Sequence, residues 1–231
     1  MSQIIKESLR DIVYKQLHEM VENSRFSPGT RINVEELARE MGVSRTPLWQ
    51  AISKLEKEGL IATIPNKGVF VQAFTPEQLL DLYAVREPLE CLAAGLAVLY
   101  IDEDTVRQMR QNLEKQREAI SAGDLAVYSR IDKDFHRIIY QLSRNSFLID
   151  ILNDIDKKLR PGFIHIDPIL EELYHDHVNI LSALRDRNAM KAQNAFIMHN
   201  ERKRDRLLEF MDTATARLQV PVAAPGDQSG L

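Results

Sequence analysis

The chain has 231 residues, 44% of them hydrophobic and 28% charged, with a net charge of −4. That length supports two hydrophobic cores, and no uninterrupted apolar stretch approaches a membrane span. A single cysteine, Cys91, cannot form an internal disulfide, and the N-terminus lacks the charged leader, apolar core and cleavage site of a secretory signal, so the expected compartment is a reducing cytoplasm.

In chain order, residues 8 to 22 place Ile12, Val13, Leu17, Met20 and Val21 at helical spacing, which predicts a leading helix. The run from Asn33 to Leu48 then reads as two short helices joined at Gly42. Asn33 caps the first, with Glu36 positioned to reach back to the cap's amide. Ser44 is the expected cap of the second, and Pro47 falls in its first turn, where a missing N–H costs nothing. The second helix should run to about Glu58 with Leu48, Ile52 and Leu55 inward. Arg45, Thr46, Trp49, Ser53 and Lys54 are left outward, where a helix laid in a major groove meets phosphates and base edges. Residues 61 to 71 form two β-rich runs around Pro65-Asn-Lys-Gly68, a hairpin wing. Lys67 at its tip can reach a phosphate, and Gly68 allows close approach. Helix, turn, helix and wing in this order predict double-stranded DNA as a partner, with Arg39, Ser44, Arg45, Thr46, Trp49, Lys54, Lys67 and Gly68 as the contact set.

Charge does not oppose that expectation. Residues 1 to 73 carry ten Lys/Arg against nine Asp/Glu, and the remainder twenty against twenty-five; the local face decides what a polyanion meets. The cations are few, so useful affinity should come from pairing two modules in a homodimer.

Beyond a linker at 74–77, Thr75 and Gln78 make a second capping box, and everything to about 214 reads as helix. Breaks fall near Asp102, at Gly123-Asp124, at Asn145-Ser146, between Pro161 and Pro168, and at Asp186 to Asn188. Six helices without strand alternation predict one antiparallel bundle. The expected fold is therefore mostly α: a winged helix-turn-helix over residues 1–73, an all-helical domain over 78–214, and a disordered tail over 215–231.

Three inward histidines stand out in the bundle. Asp132 and His136 are four apart on one face. His177 precedes Ile180, Leu181 and Leu184, and His199 follows Ala192, Ala195 and Phe196 in register. Separate hydrogen-bonded core histidines would explain each one alone. Together with the carboxylate, three helices can bring the nitrogen and oxygen donors of a divalent transition ion to one point. His18, His165 and His175 show no such register, and Cys91 reads as an inert core thiol. Arg86 and Glu90, spaced four apart, could be an exposed ion pair worth little.

Pro28-Gly29, Glu36-Leu37-Ala38, Gly42-Val-Ser-Arg-Thr-Pro47, Glu58-Gly59-Leu60 and Asn66-Lys-Gly-Val-Phe-Val71 resemble the winged-helix signature of the GntR family of bacterial transcription regulators. Trp49-Gln50 stands where that family usually has Arg-Glu, so one DNA-contacting guanidinium is missing. Leu82-Tyr-Ala-Val-Arg-Glu-Pro-Leu-Glu90, Asp132-x-x-Phe-His136, Asn145, His177-x-x-Ile-x-x-Ala183 and Met198-His199 resemble the FCD effector domain of the FadR-type branch. That resemblance implies a zinc, nickel or similar ion on Asp132, His136, His177 and His199. It also implies a small carboxylate effector, with Arg86, and less strongly Arg130 and Arg160, as its cationic contacts. Asp176 stands where a Glu is frequent before the third ligand. The function expected is a ligand-responsive regulator, a repressor more often than an activator. The alternatives are a dimeric DNA-binding protein with no effector and, further off, a metal-dependent hydrolase, for which no nucleophile and base stand beside the proposed ligands.

Overall fold

A computed structural model describes residues 8–22, 25–159 and 166–218. In the N-terminal part α1 (Leu9–Glu22) packs on α3 (Arg45–Lys57), with α2 (Val34–Glu40) beside it. Val13, Leu17 and Val21 of α1 meet Leu37, Leu48, Ile52 and Leu55 in one buried cluster closed by Ile61, Val69 and Val71. The three-stranded sheet has order β1 (Arg31–Ile32), β3 (Gly68–Val71), β2 (Ile61–Ile64), all antiparallel. Asn66, at φ +62°, turns the wing between Ile64 and its pair Gly68.

The caps differ in detail from expectation. Asn33 accepts from the Glu36 amide at 3.2 Å, but the Glu36 carboxylate accepts from the Asn33 side-chain amide instead of the cap backbone. Ser44 has N-cap backbone geometry and makes no side-chain capping bond. Gly42 adopts φ +65°, and the amide of Val43 donates to the Ala38 carbonyl at 3.0 Å. That left-handed step turns the chain from α2 into α3 and is where glycine is needed.

Six helices follow: α4 (Pro76–Ala97), α5 (Glu103–Ser121), α6 (Leu125–Leu142), α7 (Ser146–Lys158), α8 (Leu170–Arg185) and α9 (Ala189–Leu218), with a 3₁₀ turn at Asp167–Ile169. Thr75 and Gln78 close the expected capping box at the start of α4. Pro88 lies inside that helix. α4 packs on α9, α6 and α7, while α5 packs on α6 and α8, and α8 on α9. Ala94, Ala97, Met109, Phe135, Ile139, Ile180, Leu184 and Phe196 form the main core, and burial of each large side chain contributes about 1.5–3 kcal/mol. Among the described residues no helix is long and apolar enough to cross a membrane.

One expectation is corrected and another narrowed. α9 continues through residues 215–218, where the tail was expected to begin; residues 219–231 lie outside the described residues. Cys91 is half-buried, its Sγ 3.6 Å from the Gln193 carbonyl, and burial pushes the thiol up to about 11, which keeps it protonated and inert.

Candidate metal centre and nucleic-acid interface

The bundle brings Asp132 and His136 of α6, His177 of α8 and His199 of α9 to one point. Each offers a donor atom, and the four atoms lie within 4.8 Å of one another. Asp132 Oδ1 is 3.4 Å from His177 Nε2 and 3.9 Å from His136 Nε2. The imidazole centroids are 4.7 to 5.3 Å apart. All three rings are fully buried, and Asp132 Oδ1 and the three Nε2 atoms have no hydrogen-bond partner. Buried polar atoms without partners are uncommon and costly. Four of them converging is a different matter from four separate accidents, because one ion with bonds of about 2.0–2.2 Å would satisfy them all at once.

Electrostatics prepares the same atoms for coordination. Burial holds His177 and His199 well below the usual imidazole range, keeping their lone pairs free. For Asp132 burial opposes ionisation, but the nearby cations, Lys203 first and Arg86 behind it, outweigh it and hold the carboxyl below its ordinary range. The residues thus fit a divalent transition ion, in donor type and in ionisation.

A second layer of polar side chains stands behind the rings. Glu90 Oε1 lies 2.8 Å from His136 Nδ1, and Gln116 Oε1 lies 2.8 Å from His177 Nδ1. Asp176 Oδ2 is 3.7 Å from His199 Nδ1, beyond hydrogen-bond reach. Phe135 stacks on His177 at 4.5 Å. Glu90 is fully buried and accepts from Tyr140 Oη at 2.5 Å and Asn200 Nδ2 at 2.7 Å. Burial opposes its charge, and Arg86, His136 and Tyr140 overcome that, holding it well below the usual carboxylate range. Such partners orient metal-binding imidazoles and set their tautomer. Of this layer, sequence reasoning named Glu90 only as a partner of Arg86, and it missed Gln116.

The three arginines expected to meet an anion fare differently. Arg86 and Glu90 are not a surface pair: they are 5% and 0% exposed and 2.9 Å apart. Arg86 also pairs with Asp156 of α7 at 3.1 Å, so two carboxylates already match its charge. Burial pushes the Asp156 carboxyl up despite Arg86, which leaves Glu90 as the principal counterion. Arg130 is exposed and lines a groove between α5 and α6. Two residues from Asp132 on a helix, it points away from the donors. Arg160 lies outside the described residues. Among the described residues the cation that reaches the cluster is Lys203, 5% exposed, with Nζ 3.6 Å from Asp132 Oδ1. Its position four after His199 was the available signal.

On the N-terminal part, α3 buries Leu48, Ala51, Ile52 and Leu55 and leaves Ser44, Arg45, Thr46, Trp49 and Ser53 outward. Arg45 pairs with Glu35 at 2.6 Å while both stay exposed. Arg39 is exposed at the end of α2, and Lys67 at the wing tip. Lys54 is exposed, but its Nζ sits 3.5 Å over the Tyr14 ring of α1, an intramolecular contact that the expected DNA role did not include. Gly68, at φ +111°, makes its close approach to Arg31: an added Cβ would stand 3.0 Å from Arg31 Nε. Sequence reasoning missed Arg31, which adds a cation at the base of the wing.

The comparisons with known proteins divide the chain the same way. The family model of bacterial regulatory proteins of the gntR family matches residues 9–71, and that of the FCD domain matches residues 81–202. The chain is 34% identical over 203 residues to the Nta operon transcriptional regulator of Aminobacter aminovorans, covering 86% of this chain and 94% of that protein. It is 29% identical over 191 residues to the HTH-type transcriptional repressor RspR of Escherichia coli, covering 81% of this chain and 83% of that one. The solved structure of E. coli McbR/YncC shares the fold, with a TM-score of 0.78 at 21% identity over 89% of this chain and 100% of that chain. A winged reader followed by a helical domain, matched by both family models and by relatives that regulate transcription, places the chain in the GntR family of bacterial transcription regulators, in the branch that carries an FCD effector domain, and not among enzymes.

Proposed function

We propose that this regulator is a cytoplasmic homodimer that binds operator DNA, holds one divalent transition ion, zinc or nickel, on Asp132, His136, His177 and His199, and responds to a small organic acid as a repressor. Residues 1–73 act as the reader, 74–77 as the link, and the helices from 78 onward as the sensing body. The observation that carries the metal reading is the convergence of four buried donor atoms without partners. A bound ion supplies a Lewis-acidic centre on which a carboxylate can replace water. The chain's own residues do the rest: Glu90 and Gln116 orient two of the imidazoles, and Phe135 keeps water from one ring face.

Arg39, Ser44, Arg45, Thr46, Trp49, Lys67 and Gly68 form the DNA-contacting set, joined by Lys54 if its ammonium leaves Tyr14. Two readers on half-sites about one helical turn or less apart would be gripped or released as the effector shifts the population between arrangements of the bundle. Metal analysis of the purified parent and of His136→Ala tests the centre: about one ion per chain in the parent and a large loss in the variant are expected, and equal content in both refutes it. Anisotropy titration of operator-containing DNA, with and without a panel of organic acids, tests the reader. Binding that depends on salt but not on DNA sequence would refute that half.

A further inference from the structure

We infer that Lys203 makes ion binding and carboxylate binding at the cluster mutually dependent, an inference that rests on the metal reading above. Among the described residues, the two arginines nearest the site are already matched. Arg86 faces Glu90 and Asp156, and Arg202 is 2.9 Å from Asp176. Lys203 is 5% exposed, and among the described residues its one carboxylate within ion-pair distance is Asp132, at 3.6 Å. That oxygen is one of the four convergent donors.

The consequence is electrostatic. Without an ion, the Lys203 ammonium and the Asp132 carboxylate neutralise each other. Once an ion draws on the Asp132 charge, a buried ammonium stands beside a dication with no anion of its own, and like charges in a poorly hydrated site repel strongly. One added carboxylate removes that imbalance. Two buried hydroxyls without partners, Tyr128 Oη and Ser129 Oγ, lie one turn before Asp132 on the same helix. The anion, on the reading proposed above, is a small carboxylate, and by linkage it tightens the ion as much as the ion tightens it. Lys203 acts here as a positioning and charge-coupling residue.

The test uses the full chain, stripped with EDTA, desalted, and titrated with Ni²⁺ against a chromophoric chelator at pH 7.5, in chloride or in acetate of equal ionic strength. In chloride, Lys203→Met should bind Ni²⁺ about tenfold tighter than the parent because a repelling charge is gone. Acetate should tighten the parent and Lys203→Arg several-fold and leave Lys203→Met unchanged. Equal or weaker Ni²⁺ binding by Lys203→Met, or no acetate effect in the parent, overturns the inference while the metal reading stands. Should Lys203→Met lose its helical circular dichroism, Lys203→Gln must show the same tightening or the inference fails. A parent that does not bind Ni²⁺ at all removes the metal reading itself.

Discussion

Replacing Glu90 by Gln probes the layer behind the cluster with almost no change of shape. The carboxylate is fully buried and serves four neighbours: Arg86 at 2.9 Å, Tyr140 at 2.5 Å, Asn200 at 2.7 Å and His136 at 2.8 Å. The amide keeps the volume but loses the charge, so Arg86 retains only Asp156, whose carboxyl burial pushes up. Removing one partner of a buried ion pair costs about 3 kcal/mol at the lower end. For a chain of this size that lowers the melting temperature by about 6–12 °C. Loss of the oriented His136 should also weaken metal binding by about 10–100-fold. Urea denaturation of the EDTA-treated protein followed by circular dichroism reads the first effect, and chelator competition reads the second. Asp156→Asn is the control, expected to cost stability while sparing the metal. A Glu90→Gln protein within about 1 kcal/mol of the parent, with unchanged metal affinity, would refute the assignment of this carboxylate as the site's anchor.

Acid should destabilise the metal-free protein. Folded His177 and His199 resist protonation because burial lowers their pKa values, whereas the unfolded chain takes up protons near the ordinary value of about 6.5. Stability is therefore full above that pH and falls as pH drops below it, by up to about 2.7 kcal/mol per pH unit for two groups; a flat profile between pH 7 and 5 would contradict the burial of neutral rings. Lys67→Ala should weaken binding to all DNA sequences alike and reduce the salt slope by about 0.9, as expected for one phosphate contact; a sequence-selective loss in anisotropy titrations would mean that the wing reads bases. Trp49→Arg should strengthen binding and steepen the slope by about the same amount, and an unchanged slope would show that this exposed position on α3 does not face the duplex.

The reader and the six-helix body were legible because their signals are local. Asn33, Gly42 and the Thr75–Gln78 pair act within a few residues of themselves, and the hydrophobic stripes of α1, α3 and α6 follow from helical period. The quartet was legible for a related reason: each inward histidine declares its own face, and three such faces have one interior to share. What was missed depends on partners far along the chain. Gln116 meets His177 across 61 positions and Glu90 meets Asn200 across 110, so no spacing rule announces them. Arg86 could be read as a surface residue because its pattern with Glu90 is the same whether exposed or buried. Arg130, two residues from Asp132, is near it in sequence and on the other side of the helix, which spacing along the chain alone does not convey. The end of α9 ran past expectation since Ala214 and Ala216 are strong helix formers and extending an existing helix costs less than starting one.

Pro88 gives α4 a property that its continuity hides. It lies between Arg86 and Glu90 and has no N–H to offer the Ala84 carbonyl, so the helix lacks one rung there. Bending at that turn costs less than elsewhere along α4. Its first half leads directly back through Thr75 to the wing, while its second half carries the carboxylate that holds His136. α4 therefore joins the carboxylate beside His136 to the attachment of the DNA reader through a turn, two residues from Glu90, that has one hydrogen bond fewer than its neighbours.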